Sequence, residues 1–223
     1  MRKVCEIRDL GRMEYGAAWD LQRRLVAERK QGRVPDQLLF VEHPHVLTLG
    51  RNGSMRNLLA SEAALKAAGI SFFEIDRGGD ITYHGPGQIV GYPIFDLREW
   101  RRDVVAYVRA MEQAIIDALA EFGIEAGRSE GATGVWVNGA KVAAIGVHIS
   151  RWVTSHGFAL NHTTDLNYFK YIVPCGLTRP VTSMRELGVA APRAEVIAAL
   201  TRHFSRIFEF EAVEPVLHSE HAI

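Results

Sequence analysis

Two apolar runs, Gly134 to Val137 and Lys141 to Ile149, flank the dipeptide Asn138-Gly139. This pair restricts the fold more than any other local feature. A type I′ turn needs positive φ at both central residues, and Asn-Gly supplies it. Two neighbouring antiparallel strands are therefore predicted, and a sheet built only from parallel crossovers is excluded. The other periodic segments fit around that hairpin. Val4 to Leu10, Gln37 to Glu42, Val46 to Leu49, Ser71 to Asp76, Gln88 to Phe95 and Phe158 to Asn161 read as strands. Pro93 suggests an edge or a bulge in the fifth. Met13 to Lys30 reads as a helix, with Met13, Ala17, Leu21 and Leu25 at four-residue spacing and Arg23, Arg24, Glu28, Arg29 and Lys30 on other faces. Ser61 to Ala68, Asp103 to Phe122 and Arg193 to Phe210 read as further helices, the first two with Ser61 and Asp103 as caps. In the longest, Val104, Val108, Met111, Ile115, Leu119 and Phe122 follow the helical period. Tyr168 to Thr178 reads as a loop, and the tail after Glu214 as loose. Helices arrive singly and strands do not alternate regularly with them. The expected class is α/β of the α+β kind: a mixed, largely antiparallel sheet flanked by helices. With no repeat or linker, residues 1–223 are expected to form one domain.

Charge excludes some partners. Lysine plus arginine balance aspartate plus glutamate at 26 each. A general nucleic-acid or membrane binder usually carries a basic excess, so neither partner is expected. No apolar run approaches the ~18 residues of a membrane span. The N-terminus has scattered charges and no apolar core, unlike a signal peptide, so a cytoplasmic location is expected. Cys5 and Cys175 then read as free thiols, Cys5 as a small buried hydrophobe in a strand.

The candidate chemistry sits in three places. In Arg77 to Pro93, RGGDITYHGPGQIVGYP, four glycines (Gly78, Gly79, Gly85, Gly87) surround Arg77, Asp80, Thr82, Tyr83 and His84. Glycine lets backbone approach a ligand closely, so the segment reads as a pocket wall or as two turns around a short strand. His84 there is open to three roles: base, orienting group or satisfied polar residue. Lys141 opens an otherwise apolar strand, so its amine either reaches a polar site or snorkels to solvent. Cys175, between Pro174 and Gly176, is either a thiol presented on a rigid turn or a packing residue. The two reinforce each other, because a neighbouring ammonium favours the thiolate that attacks. His43, His45, His148, His156 and His162 lack metal-site spacing, so no metal is expected. Gly134-x-x-x-x-Gly139-Ala140-Lys141 is one residue off a phosphate-binding loop and lies in a hairpin, so it is not read as one.

Several motifs, taken in order, resemble the octanoyltransferase family. They are Arg77-Gly-Gly-x-x-Thr-x-His84 with Gly85-Pro-Gly-Gln88, Gly139-x-Lys141-Val-Ala-x-Ile-Gly146, Ser155-His-Gly-Phe-Ala-Leu-Asn161, and Pro174-Cys-Gly-Leu177 leading to Val181-Thr-Ser183. The resemblance runs from about Leu38 to Ser183. It implies a biotin and lipoate ligase-like fold with an acyl chain in a channel. The implied pocket is lined by Arg77, Gly78, Gly79, Asp80, Ile81, Thr82, Tyr83 and His84, by Ala144, Ile145 and Gly146, and by Gly157, Phe158 and Ala159. The implied reaction moves an octanoyl group from acyl carrier protein, through a Cys175 thioester with Lys141 lowering the thiol pKa, to a lysine of a lipoyl domain. Those domains belong to E2 subunits of 2-oxoacid dehydrogenases and to the glycine cleavage H protein. No cofactor is implied. An acidic carrier calls for a basic patch, with Arg98, Arg101 and Arg102 as candidates or as an ordinary solvated face. The competing readings are an ATP-dependent lipoate or biotin ligase, a thiol hydrolase, and a non-catalytic lipoyl-domain binder.

Overall fold

The computed structural model describes residues 3–173 and 179–215. In chain order the elements are β1 (Lys3–Arg12), α1 (Tyr15–Lys30), β2 (Asp36–Glu42), β3 (Val46–Leu49), α2 (Glu62–Ala67), β4 (Ser71–Glu74), β5 (Ile81–His84), β6 (Gln88–Ile94), α3 (Val104–Ala120), β7 (Gly127–Ser129), β8 (Ala132–Val137), β9 (Ala140–Ser150), β10 (Val153–Asn161), α4 (Arg193–Phe208) and β11 (Phe210–Val213). An eight-stranded sheet runs β11-β1-β2-β6-β10-β9-β8-β7, and a separate three-stranded sheet runs β4-β3-β5. In the large sheet β1 is parallel to both neighbours, while the pairs β2-β6, β6-β10, β10-β9, β9-β8 and β8-β7 are antiparallel. This is the mixed, largely antiparallel sheet expected.

One face of the large sheet packs on α3 and α4, through Met111, Ile115, Leu119, Leu200 and Phe204. The other face packs on α1, through Ala18, Leu25 and Val26 against Leu39, Val41, Val90 and Tyr92. The second sheet was not evident in the sequence: β2 and β3 follow each other in the chain but join different sheets.

The Asn138-Gly139 hairpin forms, with φ of 48° and 80° at the two residues. A second two-residue turn, Arg151-Trp152, has φ of 51° and 69° and links β9 to β10. Its residues carry no turn signal. Pro93 lies in a central strand rather than at an edge, because β6 pairs with both β2 and β10. Its ring faces the place where pairing with β10 has stopped: the register ends at Phe158 opposite Gly91, so no ladder hydrogen bond is lost. The buried face of α1 is Tyr15, Ala18, Gln22, Leu25, Val26 and Arg29, so Ala17 is exposed. Arg29 is buried despite its charge because its Nε donates to Asp36 at 2.7 Å and its Nη2 meets Glu99 at 2.6 Å. Val104, expected inward, is 45% exposed at the first turn of α3.

Candidate active site

A cavity of about 590 Å³ lies between the large sheet, the start of α1 and the Arg77–His84 segment. Its floor is set by strand alternation. Ala144 of β9 pairs with Ala159 of β10, Gly146 with Gly157, and Ala159 with Val90 of β6. Side chains of zero to three carbons leave the space above these strands open. At Gly146 a Cβ would lie 2.8 Å from the Gly78 carbonyl oxygen and 3.0 Å from Arg77 Cδ. Only glycine allows the Arg77-Gly78 backbone to rest on β9, where the Gly78 N–H donates to the Val147 carbonyl at 2.8 Å.

The Arg77–His84 segment divides by function of position. Arg77 is buried, and its Nη2 donates to the Thr48 carbonyl at 2.8 Å and to Thr48 Oγ1 at 2.9 Å. It thereby fastens the segment to β3. Asp80 accepts the backbone N–H groups of Ser54 at 3.1 Å and Ile81 at 2.7 Å, and the Asn57 side-chain amide. It ties the loop of Ser54 and Asn57, just after the lining residue Asn52, to this segment. Gly78, Gly79, Asp80, Thr82 and His84 line the cavity with Arg77. Ile81 and Tyr83 do not. They occupy the alternate positions of β5, fully buried against Leu47, Leu49 and Leu65 in the core of the small sheet. As a motif the segment reads as one continuous wall, whereas a strand presents every second side chain. Ile145 and Phe158 contribute to the lining from strands whose floor positions are their neighbours, and the Phe158 ring itself sits in the core against Phe40 and Phe204.

Three histidines near the cavity differ in environment. His43 is fully buried, and its Nδ1–H donates to the Met13 carbonyl at 2.8 Å. Its Nε2 therefore accepts from the Tyr92 hydroxyl at 2.7 Å. Burial pushes its pKa down to about 4. His84, 7% exposed, has its Nδ1 2.8 Å from Gln88 Oε1 and its ring stacked on Tyr15 at 6.0 Å. Burial, then the neighbouring His43, brings its pKa down to about 3. His156 adopts φ of 55°, leaves the alternation of β10 and donates from Nε2 to Asp76 at 2.8 Å. That hydrogen bond holds the Asp76 carboxyl down to about 2. Tyr15, Tyr92 and His156 all line the cavity and were missed in the sequence. Tyr15 lies far from the glycine motif in the chain, while Tyr92 falls within Arg77–Pro93 and His156 beside Gly157, where nothing local separates a lining side chain from a packed one.

Lys141 also lines the cavity. Its backbone N–H donates to the Pro180 carbonyl and its carbonyl accepts from Thr182, each at 2.9 Å. The side chain is partly buried and lies over the Trp136 ring, with Nζ 4.7 Å from the centroid. Strand β9 thus delivers the lysine into the cavity instead of letting it snorkel freely to solvent. Cys175 lies outside the described residues. Both flanks of its segment are fastened beside the site: the Val173 N–H donates to the Asn57 carbonyl at 2.8 Å, and Pro180 bonds Lys141. Farther along the surface, Arg98 is held by Asp96 through Nε at 2.8 Å, while Arg101 and Arg102 are exposed. Among the described residues, no group of three or more His, Cys, Asp or Glu side chains is placed to hold a metal, and no helix is long and apolar enough to cross a membrane.

Comparison with known proteins agrees with this geometry. Residues 14–205 match the family model of the lipoyl protein ligase A/B catalytic domain. The octanoyltransferase of Solibacter usitatus is 65% identical over 211 residues, covering 95% of this chain and 96% of that protein. The octanoyltransferase of Flavobacterium psychrophilum is 48% identical over 228 residues, covering 94% and 98%. Among solved structures, a lipoate-protein ligase A bound with ATP superposes with a TM-score of 0.76 at 17% identity, over 98% of this chain and 90% of that one, a likeness of fold alone. The chain belongs to the lipoyl protein ligase A/B family, groups within it with the octanoyltransferases, and carries out acyl transfer in protein lipoylation.

Proposed function

We propose that the cavity holds an octanoyl chain delivered by acyl carrier protein, and that Cys175 and Lys141 carry its transfer. The observation behind this reading is a cavity floored by Ala144, Gly146, Gly157 and Ala159 that has Lys141 in its lining. From Asn161 to Gly157 a strand advances about 13 Å. The seven carbon–carbon bonds of a fully extended octanoyl chain reach about 9 Å, so an extended chain fits this floor. Each methylene buried there contributes about 0.8 kcal/mol. Thr82, His84 and Arg77 complete the polar wall.

The Cys175 thiolate attacks the carrier thioester, the carrier sulfur leaves and takes a proton from the Lys141 ammonium, and a new thioester forms on Cys175, leaving Lys141 neutral for the next step. The Lys141 ammonium favours the thiolate. In the second half-reaction the neutral amine of the acceptor lysine attacks that thioester. The Cys175 sulfur leaves, and Lys141 accepts the proton lost by the amine. Thioester exchange is nearly isoenergetic and amide formation runs downhill, so the pair of steps needs no nucleotide. The acceptors are lipoyl domains of 2-oxoacid dehydrogenase E2 subunits and the glycine cleavage H protein. Arg101 and Arg102 offer positive charge to the acidic carrier. The same reading puts the protein in the cytoplasm, where its thiol stays reduced.

The test is transfer without nucleotide. Purified protein, octanoyl-carrier protein and an apo lipoyl domain are mixed, and the domain mass is followed. Octanoylation in the absence of ATP is expected. Strict dependence on ATP with free octanoate would favour the ligase alternative, and release of octanoate without an acylated domain would favour a thiol hydrolase.

A further inference from the structure

A chain of side-chain amides links His84 to the strand that carries Lys141. His84 Nδ1 is 2.8 Å from Gln88 Oε1. Gln88 Nε2 lies 2.9 Å from Asn161 Oδ1 and 3.3 Å from the Tyr83 carbonyl oxygen. Asn161 Nδ2 lies 2.9 Å from the Thr182 carbonyl oxygen. The Thr182 N–H in turn donates to the Lys141 carbonyl at 2.9 Å, and the Met184 N–H donates to the Asn161 carbonyl at 2.9 Å. Gln88, Asn161, Thr182 and His84 are all at least nine-tenths buried.

Backbone carbonyls can only accept, which fixes every orientation in this chain. The amide atom of Asn161 that faces Thr182 must be the NH₂ group, so its oxygen faces Gln88. The amide atom of Gln88 that faces Tyr83 and Asn161 must also be NH₂, so its oxygen faces His84. Two independent carbonyls, Tyr83 and Thr182, give the same answer. An amide flip at either residue would set two acceptors against each other in a buried site, at a cost of about 1–3 kcal/mol. His84 Nδ1 therefore carries the proton. Burial keeps the ring neutral, so Nε2 is left with a lone pair. Among the described residues Nε2 has no hydrogen-bond partner, and His84 lines the cavity.

We propose that Gln88 and Asn161 are positioning residues that lock His84 in its Nδ1–H tautomer, so that its Nε2 faces the cavity as an acceptor for an N–H group of the bound substrate. The octanoyl chain has no such group. Given the acyl-transfer reading, on which this assignment of the ligand rests, the N–H comes from one of the two reactants that meet the chain. The ring, with its depressed basicity, accepts a hydrogen bond and does not carry the proton away. Of the three roles open to His84 in the sequence, this selects the orienting one. The Asn161 amide also ties Thr182 to β10, and Thr182 and Pro180 bond the Lys141 backbone, so one network reaches both the imidazole and the backbone of Lys141.

Ring-nitrogen NMR tests the lock without substrate. In uniformly ¹⁵N-labelled protein, His84 is expected to show a protonated Nδ1 and an unprotonated Nε2. In Gln88→Met, which removes the acceptor, the two tautomers are expected to mix. His43, fixed independently by Met13, should keep its signals and reports that the fold survives. With octanoyl-carrier protein and lipoyl domain, Gln88→Met is expected to lose about tenfold in kcat/KM, the worth of one net hydrogen bond. A wild-type His84 protonated on Nε2 would overturn the proposal, even if the variant fails to fold. Unchanged His84 signals in a folded Gln88→Met would also overturn it. Failure of the wild type to transfer octanoate would instead sink the acyl-transfer reading and leave the tautomer assignment standing.

Discussion

The two faces of β10 do opposite work with the same backbone. On one face Phe158 and Leu160 are buried in the main core, where the Phe158 ring lies 5.4 Å from Phe204 and 6.5 Å from Phe40. On the other face Gly157, Ala159 and Asn161 leave a space or line it. The first face fills volume, and the second withholds it. A period of two lets one strand pack a core on one side and line a cavity on the other. His156 is the exception. Its positive φ takes it out of the alternation, and it reaches Asp76 at the cavity wall. The difference teaches that the site is held open by what surrounds it: small residues can line a cavity because the large ones behind them fix the sheet.

The largest effect should come from the filled face. Phe158→Ala is expected to lose about 3–5 kcal/mol of stability, measured by denaturant unfolding. The molecules that remain folded should retain acyl transfer. Loss of activity without loss of stability would reverse the roles assigned to the two faces.

The next change strikes the close approach between strands. A Cβ at Gly157 would lie 2.2 Å from the Gly91 carbonyl oxygen and 2.6 Å from Pro93 Cδ. Gly157→Ala should cost about 1–3 kcal/mol through backbone displacement, read as a lower denaturation midpoint. An unchanged midpoint would show that β6 and β10 are not held this tightly.

A smaller effect is expected where space is simply filled. Ala159→Leu should leave the protein folded and shift its preference toward shorter acyl donors. Each methylene excluded lowers kcat/KM for the longer chain by about fourfold, from the roughly 0.8 kcal/mol that its burial contributes. A series of acyl-carrier proteins of different chain length reads this directly. An unchanged length profile would remove Ala159 from the acyl channel.

The smallest effect belongs to Asp76. Its carboxyl is held down to about 2, first by the His156 hydrogen bond, so its folded pKa lies below the unfolded value near 3.8. Its contribution is therefore full above about pH 4 and is lost as pH falls toward 2. The side chain is 39% exposed, so solvent screening limits that contribution to about 1 kcal/mol or less. Asp76→Asn should flatten the acid limb of Tm against pH only slightly. A large flattening would mean that Asp76 braces more than His156.

What the sequence made legible follows from how local each signal is. The Asn138-Gly139 hairpin was readable because a two-residue turn states its own geometry. The Arg151-Trp152 turn adopts the same positive φ with residues that usually avoid it, so its neighbours must impose it. Gly78, Gly146, Gly157 and Lys141 were readable through motifs. Tyr15 and Tyr92 were not, because an aromatic residue in a helix or strand looks the same whether it meets a core or a cavity. The faces of β5 were merged because a motif is read continuously, whereas Ile81 and Tyr83 turn to the small core and Thr82 and His84 to the cavity. The separation into two sheets was hidden because the Gln37–Leu49 stretch has no signal at which a chain must change sheets. Gln88 and Asn161 both stood in motifs, but only the fixed carbonyls around them show how they are oriented.

The proposed transfer turns on Cys175 carrying the acyl group between two partners, with the cavity holding its chain. Intact mass spectrometry after mixing the protein with octanoyl-carrier protein, with no acceptor present, tests it most directly. One added octanoyl group, labile to hydroxylamine, is expected in the wild type and none in Cys175→Ser. A wild type that transfers octanoate to a lipoyl domain without ever gaining that mass, or a Cys175→Ser variant that keeps the thioester adduct, would contradict it.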